Sequence, residues 1–214
     1  MTLAYIEGNY RSVLCLNGDL PGSSFFLSCS LPVIAADGAA NRLHQLGIRP
    51  NIVIGDLDSV NTIIRQQNKV LHCPEQDSND FQKSIQYLRE KALLPSIVLG
   101  INGGFLDHVL NNINIFLETG CVLYSPPIVG YILKENYRKA FSLPFNTKIS
   151  LLGIPSAIIT SKGLKWELNE SRLSFPGNTS CFNRTRESSI ELSIHQGALL
   201  VLIYTEASSD AGSL

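Results

Sequence analysis

Two carboxylates on alternate positions, Asp56 and Asp58 in Val53-Ile54-Gly55-Asp56-Leu57-Asp58-Ser59, follow an apolar run that stops at a glycine. If the backbone stays extended past Gly55, both point the same way, roughly 7 Å apart. At an effective dielectric of about 20 they then repel by roughly 2 kcal/mol. A divalent ion, a base or bulk solvent must relieve that repulsion, so the stretch is either a cation site or a solvated acidic loop. Asp77 and Asp80 flank a helix start further on. One reading is an Asp N-cap with an acid three residues later, which satisfies orphan amides and the helix dipole. In the same reading Lys83 makes a helix-surface ion pair with Asp80 worth a few tenths of a kcal/mol. The other reading follows from place, because this helix comes directly after the unit ending in Asp56 and Asp58. Four carboxylates at one sheet edge call for Mg²⁺, and Mg²⁺ held by a few carboxylates also takes substrate phosphates.

Gly103-Gly104 before a helix is either a tight turn or an amide-lined anion pocket. Neither Gly-x-x-x-x-Gly-Lys-Ser/Thr nor Gly-x-Gly-x-x-Gly occurs, so phosphate is not handled by a P-loop or a dinucleotide fingerprint. The single tryptophan, Trp166, lies in Lys162-Gly163-Leu164-Lys165-Trp166-Glu167-Leu168. Read as a strand, this puts Trp166 on the face opposite Lys165 and Glu167, either in the core or offering a flat ring to an aromatic, cationic ligand. His72, His108 and His195 lack metal-ligand spacing and read as structural.

These residues are positioned by an alternation of short apolar runs and helices. The runs 12–16, 33–36 and 51–54 are apolar throughout and end in Gly/Asp, the pattern of parallel strands covered on both faces. Residues 39–46 read as a helix closed by Gly47. Phe81, Ile85, Leu88 and Ala92 fall at helical spacing and predict a helix over about 79–92. A strand at 97–100 leads through the paired glycines to a helix from Asp107 to about Glu118. Open α/β sheets bind ligands at the carboxyl ends of their strands, where Asp19, Asp37, Asp56, Asp58 and Asp107 all fall. After 121–124 and Pro126-Pro127 the pattern becomes short alternating runs, at 128–132, 148–152, 157–160, 164–168, 189–194 and 198–203. This predicts an antiparallel β domain, a small sandwich or barrel. The expected organisation is an α/β domain with a mostly parallel sheet over 1–125, an all-β domain over 126–206 and a frayed tail over 207–214.

The 214 residues, 44% hydrophobic, are enough for one large domain or two small ones. A net charge of −1 gives no basic field, which argues against nucleic acid as a partner. Five cysteines, widely spaced and odd in number, argue for a reducing compartment and against a disulfide framework or a zinc knuckle. The N-terminal stretch does not read as a secretory signal, and no apolar run approaches a membrane span. The expectation is a cytoplasmic protein without membrane contact.

The order of motifs resembles the thiamine pyrophosphokinases. It runs through Ala36-Asp37-Gly38-Ala39-Ala40-Asn41-Arg42-Leu43, Gly55-Asp56-Leu57-Asp58-Ser59, Asp77-x-x-Asp80-x-x-Lys83 and Gly103-Gly104-x-x-Asp107-His108-x-x-x-Asn112-Ile113. Thr160-x-x-Gly163-Leu164-Lys165-Trp166-x-Leu168 and Ser180-x-x-Asn183 complete it, so that it spans residues 13–203. The resemblance implies a homodimer with active sites between subunits. It also implies transfer of the pyrophosphoryl group of ATP to the thiamine hydroxyl, with Mg²⁺, giving thiamine diphosphate and AMP. By similarity Asp56, Asp58 and Asp80 hold metal and phosphates, and Asp107 lies at the catalytic edge. Asp37, Asn41, Arg42, Asp77, Lys83, Gly103, Gly104 and His108 belong to the nucleotide side. Trp166 stacks on the thiamine pyrimidine, Lys165 belongs to the same substrate site, and Ser180 and Asn183 help line that pocket from the second subunit.

The chain departs from the family at Phe105, where an Arg usually follows the paired glycines, and at Asn79, where a Thr is usual. Arg42, Lys83 or Lys165 can stand in for the Arg. Rival readings are a diphosphokinase for another small alcohol, such as a hydroxymethyl pterin, and a non-catalytic nucleotide-binding module.

Overall fold

An apolar run with no polar position to spare must be covered on both faces, and the first half of the chain uses each such run as a parallel strand. The computed structural model describes residues 6–205. They form two compact units, divided between Ser125 and Pro126. In the first, β1 (Ser12–Cys15), α1 (Ser23–Leu27), β2 (Val33–Ala36), α2 (Ala39–Gln45), β3 (Ile52–Gly55) and α3 (Thr62–Gln67) follow one another. Then come β4 (Val70–His72), α4 (Asp80–Glu90), β5 (Ser96–Leu99), α5 (Leu106–Phe116) and β6 (Val122–Ser125). All the pairings are parallel, in the order β6-β5-β1-β2-β3-β4. The chain winds outward from β1 to β4, then returns to β5 on the other side of β1. The switch point, where such sheets open a crevice for ligands, is therefore at β1 and β5.

Strands β1, β2, β3 and β5 are buried at every residue. Helix α4 lays Phe81, Ile85 and Leu88 into this core and ends before Ala92, whose φ of 54° is incompatible with a continuing helix. Its N-cap is Asn79 rather than Asp77: Asn79 Oδ1 accepts from Gln82 N at 2.9 Å, and Gln82 Oε1 accepts from Asn79 N at 3.1 Å. This capping box satisfies the helix start and leaves the Asp80 carboxylate uncommitted to it. Helices α1 and α3, of five and six residues, went unread because neither is long enough for an apolar period to show.

The second unit contains β7 (Ile128–Lys134), β8 (Tyr137–Ser142), β9 (Lys148–Lys162), β10 (Ser171–Ser174), β11 (Ser180–Arg184) and β12 (Ser189–Tyr204). Runs expected as separate strands are halves of two long ones, β9 and β12, which pair antiparallel along their length. Register shifts between Ile194 and Gln196 and between Gly197 and Leu199 let the pair bend, as bulges do. The exposed Pro155 sits in the gap, where β9 makes no ladder bond to β12. One half of the pair is flanked by β7 and β11, the other by β8 and β10. Tyr131 of β7 and Phe141 of β8 meet at 5.4 Å between ring centroids, joining the two layers in one core.

The expected strand at 164–168 is not one. Past β9 the chain is irregular from Gly163, whose φ is 85°, and Leu164 makes only an isolated bridge to Thr185. Residues 207–214, expected to fray, lie outside the described residues. No helix among the described residues is long and apolar enough to cross a membrane.

Removing the cap of α4 by Asn79→Ala is expected to lower the unfolding free energy by about 1 kcal/mol in chemical denaturation. An unchanged midpoint would mean that tertiary contacts alone hold this helix start.

Candidate active site

Strand β3 ends at Gly55, and the next residues turn instead of continuing extended. Leu57 adopts a φ of 65° with its side chain 3% exposed, so it is an apolar anchor in a left-handed turn. The turn draws its neighbours closer than an extended chain would: Asp58 N donates to Asp56 Oδ1 at 3.3 Å. Asp37, just past β2, joins them, and one carboxylate oxygen from each of Asp37, Asp56 and Asp58 lies within 4.8 Å of the others. Asp37 is buried, has a φ of 40°, and its Oδ1 has no hydrogen-bond partner. Strained backbone and an unsatisfied buried oxygen both cost free energy, and such costs concentrate at functional sites.

Gly55 is required by this packing. With φ at 155°, a Cβ there would sit 2.8 Å from Asp37 Cβ and 2.9 Å from Asp80 Oδ1. Asp80, the first residue of α4, is thus a fourth carboxylate against the group of three. Burial, with Asp37 and Asp56 nearby, pushes its carboxyl above the ordinary range. Burial and the charges of Asp58 and Asp56 do the same to Asp37. Asp56 shifts the other way, held down by Gln76 Nε2 at 3.2 Å from Oδ2 and by the Asp58 amide. Lys83 is not a surface partner. Its side chain is 7% exposed and its Nζ lies 3.6 Å from Asp80 Oδ1, so the charge is kept at the acidic edge. Asp77 is exposed and outside the group of three.

The switch point lies beside this edge. Asp19 N, just past β1, donates to Asn102 O, just past β5, at 2.7 Å, so the two loops are joined. Gly103, with φ at 93°, packs where a Cβ would lie 2.2 Å from the Asp19 carboxylate, whereas Gly104 borders open space. Arg42 reaches in from α2: Nε donates to Asn17 Oδ1 at 3.3 Å, and Nη1 is 3.9 Å from Asp19 Oδ1. Its neighbour Asn41 is turned to the next loop, donating to Ser59 O at 2.7 Å and accepting from Asn61 N at 2.9 Å. It buttresses the Asp56–Asp58 turn with one of its two amide hydrogens and one of its two carbonyl lone pairs. Phe105 is 82% exposed, with its ring edge-on to His108. Asp107 is exposed and accepts from the His108 amide at 2.9 Å, the role of an acid in a helix's first turn.

In the second unit Trp166 is not core: it is 54% exposed, and Lys165 Nζ sits 4.6 Å from the centre of its ring. The two side chains expected on opposite faces are stacked, because the segment is a loop. The loop is fixed from below. Glu167 accepts from the Ser161 hydroxyl and from Leu164 N. Asn183 is 1% exposed and fully engaged. Its Oδ1 accepts from Trp166 N at 3.2 Å and Arg184 N at 2.8 Å, and its Nδ2 donates to Trp166 O at 2.8 Å and Ser180 Oγ at 3.1 Å. With all four positions of its amide spent within the chain, Asn183 holds the Trp166 backbone. Beside the ring opens a cleft of about 390 Å³ lined by Phe145, Asn146, Lys165, Trp166, Arg184 and Arg186, among others.

Several contributors went unread in the sequence. Gln76 and Asn17 carry no chemistry of their own, and only the fold brings them to the carboxylates and to Arg42. Arg184 and Arg186 did carry a signal, an Arg-x-Arg directly after the Asn183 motif.

A family model described as "Thiamin pyrophosphokinase, catalytic domain" matches residues 26–124, and one described as "Thiamin pyrophosphokinase, vitamin B1 binding domain" matches 133–199. Thiamin pyrophosphokinase 1 of Caenorhabditis elegans is 30% identical over 179 residues, covering 74% of this chain and 73% of the relative. Thiamine pyrophosphokinase 3 of Oryza sativa subsp. japonica is 26% identical over 203 residues, 78% of this chain and 76% of the relative. The crystal structure of thiamine pyrophosphokinase from Bacillus subtilis shares the fold, with a TM-score of 0.77 at 19% identity over 90% of this chain and 98% of that one.

Replacing Asn183 by Ala strips the Trp166 backbone of both its anchors and leaves buried groups unpaired. A loss of about 1–3 kcal/mol in stability is expected, together with greater quenching of the single tryptophan's fluorescence by acrylamide. Unchanged quenching would show that the loop keeps its shape without Asn183.

Proposed function

Because the chain belongs to the thiamin pyrophosphokinase family, we propose that its acidic edge is a Mg²⁺-nucleotide site and its Trp166 cleft the thiamine site. The reaction is the pyrophosphorylation of thiamine by ATP. The thiamine hydroxyl oxygen bonds to the β-phosphorus, the bond from that phosphorus to the α,β-bridging oxygen breaks, AMP leaves with that oxygen, and the hydroxyl proton is lost.

The observation that carries the metal reading is the buried, unpartnered Oδ1 of Asp37 among oxygens within 4.8 Å of one another. An octahedral ion with ligands at about 2.1 Å spans at most about 4.2 Å between opposite oxygens. A small side-chain closure of Asp37, Asp56 and Asp58 therefore suits a hard cation. Asp80, which the resemblance groups with Asp56 and Asp58 as holding metal and phosphates, stands next to them. Bound there, Mg²⁺ supplies charge that offsets the phosphates and the charge developing between them.

The chain's own groups do the positioning. Lys83, buried beside Asp80, offers a fixed cation to the polyphosphate. Arg42 at the crevice, Gly103 and Gly104 with their amides, and His108 form the nucleotide side, and Asp77 lies at its rim. Asn41 acts through the turn it braces. Asp80 is the proposed acceptor of the hydroxyl proton in preference to Asp107, which faces solvent and accepts from the His108 amide. Trp166 stacks on the pyrimidine, with Lys165 and Ser180 beside it and Asn183 holding it. The proposed division of labour is metal and nucleotide in 1–125 and thiamine in 126–206. A homodimer in the cytoplasm completes the reading, and the five free thiols suit a reducing compartment.

Purified protein given Mg-ATP and thiamine should form AMP and thiamine diphosphate in equal amounts. Asp56→Asn is expected to cut turnover by on the order of 10². Thiamine-independent ATP consumption, or an unimpaired variant, would contradict the assignment of this edge.

A further inference from the structure

The spacing of Ser180-x-x-Asn183 is one that a regular strand cannot use. Side chains alternate between the two faces of a strand, so residues three apart point to opposite sides. Yet both residues belong to β11, and Asn183 Nδ2 donates to Ser180 Oγ at 3.1 Å. Ser180 pairs with Leu151 of β9 and Asn183 with Ile149, so Cys181 and Phe182 together face the single residue Ser150. This is a two-for-one bulge, and its extra residue resets the alternation. Cys181 and Phe182 are both exposed, after which Asn183 is buried. The bulge is strained. Phe182 has a φ of 55°, in the left-handed region that a bulky side chain seldom adopts, and it falls in the gap of the ladder between the two flanking pairs. Ser150 answers at that gap: it is 4% exposed, and its hydroxyl accepts from Phe182 N at 3.0 Å. On the exposed side the Phe182 ring meets Tyr204 at 5.8 Å between centroids, with Lys148 Nζ 5.0 Å and 5.1 Å from the two ring centres. The bulge is therefore gripped at its amide by a buried hydroxyl and at its ring by a cation shared with a second aromatic.

We propose that Ser150 is a positioning residue for the aromatic contact of the second unit. By holding the bulge it turns Asn183 under the Trp166 loop, and Asn183 then fixes Trp166 at both N and O. This role rests on the reading of Trp166 as a thiamine contact and traces the placement of that ring to a hydroxyl on another strand. Every residue in the relay lies in one unit of one chain. Without the Ser150 hydroxyl, the Phe182 N–H loses its partner and the strain at φ is unopposed. The strand then relaxes toward regular alternation, which turns Asn183 away from Trp166.

The test combines steady-state kinetics with acrylamide quenching of the single tryptophan in the full chain. Ser150→Ala should raise the thiamine KM by about tenfold, the effect of one hydrogen bond, and expose Trp166 to more quenching. The ATP KM and kcat should stay near those of the wild type, a split that a general loss of stability does not produce. Glycine adopts a φ of 55° without strain, so Phe182→Gly should suppress most of the Ser150→Ala defect in the double variant. Trp166→Ala should itself raise the thiamine KM, and Ser150→Ala added to it should raise it no further. Circular dichroism follows the folding of each variant. Ser150→Ala with unchanged thiamine KM and quenching would overturn the proposal while leaving the thiamine site in place. A defect in folding or in KM that survives Phe182→Gly, or one that adds in full to that of Trp166→Ala, would do the same. Trp166→Ala with a wild-type thiamine KM would overturn the assignment of the cleft and the role of Ser150 with it.

Discussion

The mutual repulsion of carboxylates crowded at the ends of β2 and β3 is the constraint to which the first unit is built. Asp37, Asp56 and Asp58 have oxygens within 4.8 Å of one another, and Asp80 approaches close enough that position 55 has no room for a side chain. Such an arrangement forms only where stronger forces impose it. Here the parallel strands place the turns side by side, Leu57 pins one turn into the core, and the capping box at Asn79 fixes where α4 begins. Positive φ at Asp37 and Leu57 and the unpaired Asp37 oxygen are further costs of the same geometry. Lys83 offsets part of the charge, and its burial against Asp80 keeps that offset in place. In the function proposed above, a divalent ion would remove what remains, and the cost borne by the free protein would become affinity for metal and phosphate.

The second unit solves a different problem, that of keeping a large aromatic side chain in water. Two long bent strands, β9 and β12, make a core that does not need Trp166, and the loop leaving β9 carries it outward. Buried polar groups stiffen the loop from beneath. Glu167 accepts from Leu164 N, and Asn183 bonds both Trp166 N and Trp166 O, so the backbone that carries the half-exposed ring is held in place. Rigid loops on a strand scaffold position ligand contacts without paying ordering entropy at binding.

The architecture was legible because the apolar runs of the first half have no polar face while those of the second half alternate, and burial of the strands followed that difference. The carboxylates too were legible as types and order. What the sequence did not carry was geometry set by turns and by distant partners. An extended reading put Asp56 and Asp58 too far apart because nothing in Gly-Asp-Leu-Asp announces the left-handed Leu57. The alternation around Trp166 read as a strand, but Gly163 and the isolated bridge at Leu164 break it. Asp77 read as the cap because an Asp three residues before another acid fits the motif as well as Asn79 before Gln82 does. The engagement of Asn41 and Asn183 within the chain is likewise invisible to a motif, since an amide that binds a ligand and one that braces a loop are spelled alike.

The measurement closest to the central claim is thermal unfolding of the wild type and Asp37→Asn with EDTA or millimolar Mg²⁺. Asn tolerates positive φ, so the substitution removes charge with little change in backbone preference. If repulsion at this edge is stored for a cation, Asp37→Asn melts above the wild type in EDTA, Mg²⁺ raises the wild type, and Mg²⁺ does little for the variant. A wild type indifferent to Mg²⁺, or a variant that melts lower in EDTA, would contradict the account.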